Sequence, residues 1–328
     1  MTNLQAYRPY WHPIALAADV TEVPRRFTLL GENLVAWRSH GQAVVMKDLC
    51  IHRGSALSLG TVREGTIECA YHGWRYDGAG KCVSIPSLPA GKPIPAKAAA
   101  ITYEAREYAG LIWTALAPAV APFPHWPQGC EYDNPALRSH VVDQYYWEVG
   151  AGRAIENFLD VAHFPFIHEN TLGTRDDTVV HEHDIDRGEF GISYTYLQEE
   201  PADLNTGVGE KVELEYHYKV PLTAHLKRSN PHGEWTCVSL LASPTTPTTS
   251  TLFVTCTRNF ALEPEADAGL SEFIGTVMNQ DKAIVQSVRP EEIPVELSEE
   301  LHLKVPDAAG LLLRRYLAKV EGSDTRVA

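Results

Sequence analysis

The sequence predicts an α+β protein in two parts: a small antiparallel β-domain, then a larger domain in which helices pack on one side of an antiparallel sheet. Three observations predict it. The first third carries short β-runs punctuated by glycine; residues 118–136 hold five prolines and read as a linker; the remainder alternates long strand patterns with helical ones. The expected boundaries are a first domain over 1–118, a linker over 119–136 and a second domain over 137–328. Length agrees, because 328 residues at roughly 150 per domain make about two.

Taken in order, the stretch from Thr28 to Asp48 reads as two β-runs with turns at Gly31-Glu32-Asn33 and Ser39-His40-Gly41. Gly60, Gly65, Gly73, Gly78 and Gly80 then mark long loops between short strands, and a strand ending near Pro118 closes the first domain. The second domain opens with a strand over 141–149, followed by a helical stretch and strand patterns over 190–198, 212–220, 235–243 and 249–260. Two helical patterns end the chain.

Composition removes several function classes. Hydrophobic residues make up 44% and charged residues 21%, which excludes a disordered chain. Lys plus Arg is 28 and Asp plus Glu 42, a net charge of −14, so neither nucleic acid nor an anionic membrane is an expected partner. No apolar run approaches the roughly 20 residues of a membrane span. The opening residues lack a basic head with an apolar stretch, so the expected location is cytoplasmic. Six scattered cysteines do not describe a disulfide scaffold; in that compartment, closely spaced Cys and His indicate metal.

Two constellations carry chemistry. In the first domain, Cys50-Ile51-His52 is followed after sixteen residues by Cys69-Ala70-Tyr71-His72, each loop ending a β-run and leading into glycine. Two thiolates and two imidazoles suit either a structural zinc or an iron–sulfur cluster with Cys on one iron and His on the other. Each loop supplies one Cys and one His, which favours the cluster, with the histidines toward solvent. Cys82, Cys130, Cys237 and Cys256 read as buried thiols. In the second domain, Asn157, Asp160 and His163 are spaced i, i+3, i+6 on one expected helical face, with His168 five residues on and Pro165 expected to kink the helix between them. Two histidines invite a carboxylate third ligand, giving the open three-sided site of non-haem iron oxygenases. Asp281 is the candidate, because it falls in the apolar stripe of Leu270, Phe273, Ile274, Val277, Ile284, Val285 and Val288, where an ionised group needs a partner. Asp160, one turn before His163, is placed to orient its ring. His181 and His183 read as a solvated strand face, and Arg153 as one possible anchor for a substrate carboxylate.

The spacing C-x-H-x16-C-x2-H resembles the Rieske cluster motif, and with N-x2-D-x2-H-x4-H and a late Asp the whole chain resembles the catalytic subunit of Rieske non-haem iron oxygenases. The run from Tyr145 to Gly173 is most similar to the branch of oxidative N- and O-demethylases and alkaloid hydroxylases. The resemblance implies a Rieske β-sandwich followed by a helix-grip (START-like) domain with a curved sheet. It implies a [2Fe-2S] cluster on Cys50, His52, Cys69 and His72, and Fe(II) on His163, His168 and Asp281. It also implies Asp160 and Asn157 as catalytic residues beside the iron. Dioxygen is the implied co-substrate, with electrons from NAD(P)H through a separate flavin and iron–sulfur reductase, with or without a ferredoxin. A head-to-tail homotrimer is implied, in which His72 of one chain meets Asp160 of the next. The implied reaction is hydroxylation or oxidative O- or N-demethylation of a small aromatic or heterocyclic molecule; the alternative is a cis-dihydroxylating ring dioxygenase.

Overall fold

The structure is a computed structural model that describes residues 2–201, 209 and 211–322. The chain divides into two compact units, Arg8–Val120 and a larger one that runs from Ala121 onward and takes in the N-terminal segment through Tyr7. The residues before Arg8, expected in the first domain, thus belong to the second unit, where buried Tyr7 donates its hydroxyl to Glu321 at 2.9 Å. The proline-rich segment also lies on this unit, with the Trp126 ring 5.2 Å from that of His225. Phe123, Trp126 and Cys130 are buried there, so the segment is packed chain and not a free tether. Residues 323–328, the end of the expected second domain, lie outside the described residues.

The smaller unit contains β1 (His12–Leu16), β2 (Arg25–Leu29), β3 (Glu32–Ser39), β4 (Gln42–Lys47), β5 (Thr61–Arg63), β6 (Thr66–Glu68), β7 (Arg75–Tyr76), β8 (Cys82–Ser84), β9 (Thr102–Tyr108) and β10 (Leu111–Ala115). They form a six-stranded sheet, β1-β10-β9-β4-β3-β2, and a four-stranded sheet, β5-β6-β7-β8. The stretch read as two β-runs is three strands, β2 to β4, because the turns are only two residues long. Leu30-Gly31, His40-Gly41, Glu64-Gly65 and Ala109-Gly110 each place both residues at positive φ, the tight hairpin geometry that matches strand twist. The first residue tolerates this conformation at a cost; the second is glycine each time. Val35, Trp37, Met46, Ile67 and Tyr76 build the core, and Cys50 and Cys69 are buried in the same cluster.

The larger unit contains β11 (Arg138–Trp147), β12 (Ile185–Gly188), β13 (Gly191–Glu199), β14 (Lys211–Lys219), β15 (Thr223–Ser229), β16 (Trp235–Thr246) and β17 (Thr249–Arg258). They form one antiparallel sheet, β11-β17-β16-β15-β14-β13-β12. Register shifts at Val141/Asp143 in β11 and Pro244/Thr246 in β16 bend it. Strand β14 shows the period-2 logic: Val212, Leu214, Tyr216 and Tyr218 are buried, and the residues between them are not. Among the described residues, four α-helices accompany the sheet: α1 (Ala151–Phe158), α2 (Phe164–Ile167), α3 (Asp267–Val285) and α4 (Ala308–Val320). Helix α3 is tied to both ends of β11. Arg138 pairs with Asp267 at one end, and the Glu148 amide donates to Gln286 Oε1 at 2.8 Å at the other. The sequence pattern did not anticipate β12 or β15. His181 and His183 precede β12 in irregular chain and are not in a strand; the His183 ring lies 5.0 Å from that of Tyr194.

Candidate metal centres

In the smaller unit, two loops of the same build present the Cys and His side chains. The amide of Cys50 donates to the Ser55 carbonyl at 2.7 Å, and Gly54 donates back to the Cys50 carbonyl at 2.8 Å. The second loop repeats this: Cys69 to Trp74 at 2.8 Å, Gly73 to Cys69 at 3.0 Å. Gly54 and Gly73 both sit at positive φ, +75° and +68°, which is why glycine stands four residues after each cysteine. The result is a polarity gradient. Both thiols are buried, at 2% and 1% exposure, His52 is half-buried and His72 exposed. The two imidazole centroids are 4.5 Å apart, and Trp74 stacks on His52 at 4.6 Å with ring planes 6° apart.

The donor set fits an iron–sulfur cluster on one observation in particular: His52 Nδ1 is buried with no hydrogen-bond partner, although buried ring nitrogens are ordinarily satisfied. Burial pushes the Cys50 thiol up, against hydrogen bonds from Tyr76 and the loop backbone. The Tyr76 hydroxyl lies 3.1 Å from Cys50 Sγ. Burial also raises that phenol well above its ordinary value, so it stays protonated and points its O–H at sulfur.

In the larger unit, the expected single kinked helix is two short helices joined by a turn. Helix α1 stops at Phe158 because Asp160 captures the chain: its Oδ1 accepts from the Ala162 amide at 2.8 Å, a local bond that competes with helix continuation. Tyr194 Oη donates to the Leu159 carbonyl at 2.6 Å and clamps the exit. Pro165 opens the first turn of α2, where no amide is needed, and does not interrupt a longer helix. His163 and His168 therefore flank α2 at its two ends.

Their rings converge with Asp281 of α3. His163 Nε2 and His168 Nε2 are 3.3 Å apart, and Asp281 Oδ1 lies 3.4 Å from the first and 3.2 Å from the second. The far nitrogens are committed elsewhere. His163 Nδ1 donates to Asp160 Oδ2 at 3.2 Å, and His168 Nδ1 to Gln280 Oε1 at 2.8 Å. Each ring thus turns an Nε2 lone pair inward, and Asp281 adds an anionic oxygen. Three potential donor atoms face one another in a buried spot, a set that suits a divalent transition metal and, without one, favours a positive charge on an imidazole. The titration behaviour has the same origin. Burial would raise the Asp281 carboxyl, but hydrogen bonds to the two histidines outweigh it and hold the group down at about 2. Burial would lower His163, but Asp160 and Asp281 carry it up to about 9. Asn157 Nδ2 reaches Asp281 Oδ1 at 3.3 Å, so its contact is with the carboxylate and not with a histidine.

Gln280 went unread in the sequence. Its signal was its position beside an acid on an apolar helix face, which nothing distinguishes from a solvated glutamine. Arg153, considered as a carboxylate anchor, is engaged instead by Glu156 at 3.1 Å and by Glu300, together with Arg314. A cavity of about 310 Å³ adjoins His163, His168 and Asp281, walled among the described residues largely by Phe158, Phe164, Leu226, Phe273, Ile274 and Met278.

Residues 10–103 match the Rieske [2Fe-2S] domain family, and residues 147–322 match the vanillate O-demethylase oxygenase C-terminal domain family. The methylxanthine N1-demethylase NdmA of Pseudomonas putida is 27% identical over 96% of this chain and 89% of its own. The N3-demethylase NdmB of the same organism is 35% identical over about half of each chain. The solved structure of NdmA with caffeine superposes with a TM-score of 0.85, covering 97% of this chain and 92% of that one at 26% identity. Dicamba monooxygenase, at 21% identity and a TM-score of 0.83, shares the fold. This chain therefore belongs to the Rieske oxygenases, with a Rieske [2Fe-2S] domain followed by a catalytic domain of the vanillate O-demethylase family.

Proposed function

We propose that this protein is the terminal oxygenase of a multicomponent system and removes an N- or O-methyl group from a small heteroaromatic or aromatic molecule. The carrying observation is the inward convergence of His163 Nε2, His168 Nε2 and Asp281 Oδ1 at the wall of an apolar cavity, in a chain with a separate Cys2His2 loop pair. In this reading Cys50, Cys69, His52 and His72 hold the [2Fe-2S] cluster, and His163, His168 and Asp281 hold Fe(II). Bound there, the cluster would supply single electrons and the mononuclear iron would supply oxygen activation next to a substrate methyl group. The residues around them do the positioning. Asp160 and Gln280 fix both imidazoles with Nε2 inward, Asn157 steadies Asp281, and the apolar wall keeps bulk water from the reacting carbon. A hydroxylated methyl would then leave as formaldehyde: its carbon–nitrogen or carbon–oxygen bond breaks with the electron pair going to the heteroatom, which takes up the hydroxyl proton.

Electrons reach such a chain from a separate reductase that draws on NAD(P)H, and a head-to-tail homotrimer belongs to the same proposal. The exposure of His72 and the 35% exposure of the Asp160 side chain support it, since both groups are reachable from another chain. A cytoplasmic setting suits six free cysteines. No helix among the described residues is long and apolar enough to cross a membrane.

The test has two arms. Asp281→Ala is expected to lose mononuclear iron in metal analysis while keeping the visible absorption of the cluster; full iron retention would remove Asp281 from the ligand set. With a reductase and NADH, wild-type protein should release one formaldehyde per N-methyl or O-methyl substrate consumed. A cis-diol product with no formaldehyde would reject demethylation.

A further inference from the structure

We propose that the metal site has its own solvent inlet: a second, polar cavity bordering His163 brings water, and with it protons, to the site while a substrate fills the apolar cavity. The proposal rests on the oxygenase reading and adds a proton source to it. Hydroxylation of a C–H bond by dioxygen takes up two electrons and two protons, and leaves one oxygen atom in the product and the other in water. In that reading the electrons come through the cluster, whereas the protons come from solvent. A largely apolar cavity that already holds the substrate is a poor path for water or for charge.

The second cavity, about 330 Å³, shares His163 with the first but is walled differently. Arg153, Asp160, Glu300, His302 and Asp307 are among its described lining residues. Leu301 and Ile284, 91% and 49% exposed, also line it, so it opens at the surface. A space of this size with such polar walls holds water. Two helices pass from one cavity to the other at the metal site. Helix α3 gives Ile274, Val277 and Met278 to the apolar cavity before Asp281, and Ile284, Val285 and Val288 to the polar one after it. The end of α1 divides in the same way, with Phe158 on the apolar side and Asn157 on the polar side. Asn157 is therefore the partition. It lines the polar cavity while its Nδ2 reaches Asp281 Oδ1 at 3.3 Å. A carboxamide accepts through its oxygen and donates through its nitrogen, so it orders incoming water without taking up a proton itself.

The test uses full-length protein with its cluster intact and oxidised and with Mn(II) in the mononuclear site. The exchange of metal-bound water is read from the relaxation of solvent-water protons, with metal-depleted protein as the baseline. Two tryptophans then plug the cavities one at a time. Ile284→Trp, three residues after Asp281, narrows the polar cavity; Val277→Trp, four residues before it, fills the apolar one. Ile284→Trp should lose most of the relaxation enhancement, and Val277→Trp should keep most of it. Retained enhancement in Ile284→Trp overturns the proposal, as does an equal loss in both variants or wild-type protein that binds Mn(II) without enhancement. Should Ile284→Trp fail to hold the metal, Gly310→Leu, which plugs the polar cavity from α4, decides in its place. In turnover of the iron-loaded enzyme with reductase and NADH, Ile284→Trp should also raise the solvent deuterium isotope effect on formaldehyde release, because proton supply becomes the slow step; an unchanged isotope effect overturns the proton role. The two readings fail separately. Exchange through the polar cavity without formaldehyde from any methyl compound refutes the reaction and keeps the inlet; formaldehyde release with exchange through the apolar cavity does the reverse.

Discussion

The orientation of each site imidazole is set by the nitrogen it turns away from Asp281. Asp160 and Gln280 hold those two protons, one with a carboxylate and one with an amide. Gln280→Leu leaves the buried Nδ1–H of His168 without an acceptor, a defect of about 1–3 kcal/mol. It is expected to weaken Fe(II) binding by about 10–100-fold, read by metal titration of the apoprotein, with Gln280→Glu restoring most of the loss. Weak binding in Gln280→Glu as well would mean that the acceptor at this position is irrelevant. At the other centre, the Tyr76 hydroxyl pointed at Cys50 Sγ withdraws charge from the sulfur. Tyr76→Phe should keep the cluster but lower its reduction potential by tens of millivolts, measured by spectroelectrochemistry. The two Cys–His pairs stood out by their spacing and Asp281 by its place in an apolar stripe, and folding brings His163, His168 and Asp281 within reach of one another. Gln280 and Tyr76 did not stand out, because an amide or a phenol acquires its meaning only from what folding places beside it.

At the level of elements, legibility followed periodicity. The long strands and α3 announced themselves by their alternation, while β15 was missed because its run, Thr223–Ser229, carries His225, Lys227 and Arg228. It is a strand nonetheless, because β14 and β16 on either side satisfy its backbone. The single kinked helix expected over 157–168 failed for a local reason: Asp160 makes its own backbone turn, and Pro165 begins a helix more readily than it bends one. Helix α1 is anchored to α4 by an ionic network. Arg314, 1% exposed, reaches Glu156 at 2.7 Å and Glu300 at 2.5 Å, while Arg153 binds the same two acids. Arg314→Met strips the countercharge from largely buried carboxylates. It should destabilise the larger unit by about 3–5 kcal/mol, measured by urea denaturation; a loss under about 1 kcal/mol would show that Arg153 alone suffices.

At the scale of the whole molecule, Glu300 and Asp267 link stability to pH through their arginine partners. Burial raises Glu300, but Arg153 and Arg314 outweigh it and hold it at about 2; Arg138, against a smaller effect of burial, and then Arg258 hold Asp267 at about 2. A carboxyl depressed in the folded state contributes stability above its unfolded value and loses it as pH falls toward the folded one. The loss should fall between about pH 4.5 and pH 2. Denaturation midpoints are expected to drop steeply over that window, and Glu300→Gln, already weaker at pH 7, should give the shallower curve. Parallel curves would mean that Glu300 carries no proton linkage. The fold class was readable at this scale because glycine-punctuated hairpins and long alternating strands differ in composition. The placement of residues 2–7 and of the proline-rich segment was not, since both are fixed by contacts distant in sequence.

Helix α3 carries Phe273 and Ile274 on the cavity wall, and Gln280 and Asp281 about two turns further on. Phe273 and Asp281 are eight positions apart on one rigid rod, about 12 Å. An axial slide or roll of that rod, forced by whatever leans on the aromatic ring, arrives undiminished at the carboxylate. Pressure on the chamber wall and the position of the Asp281 carboxylate thus share one continuous helix, with no hinge or loop between Phe273 and Asp281.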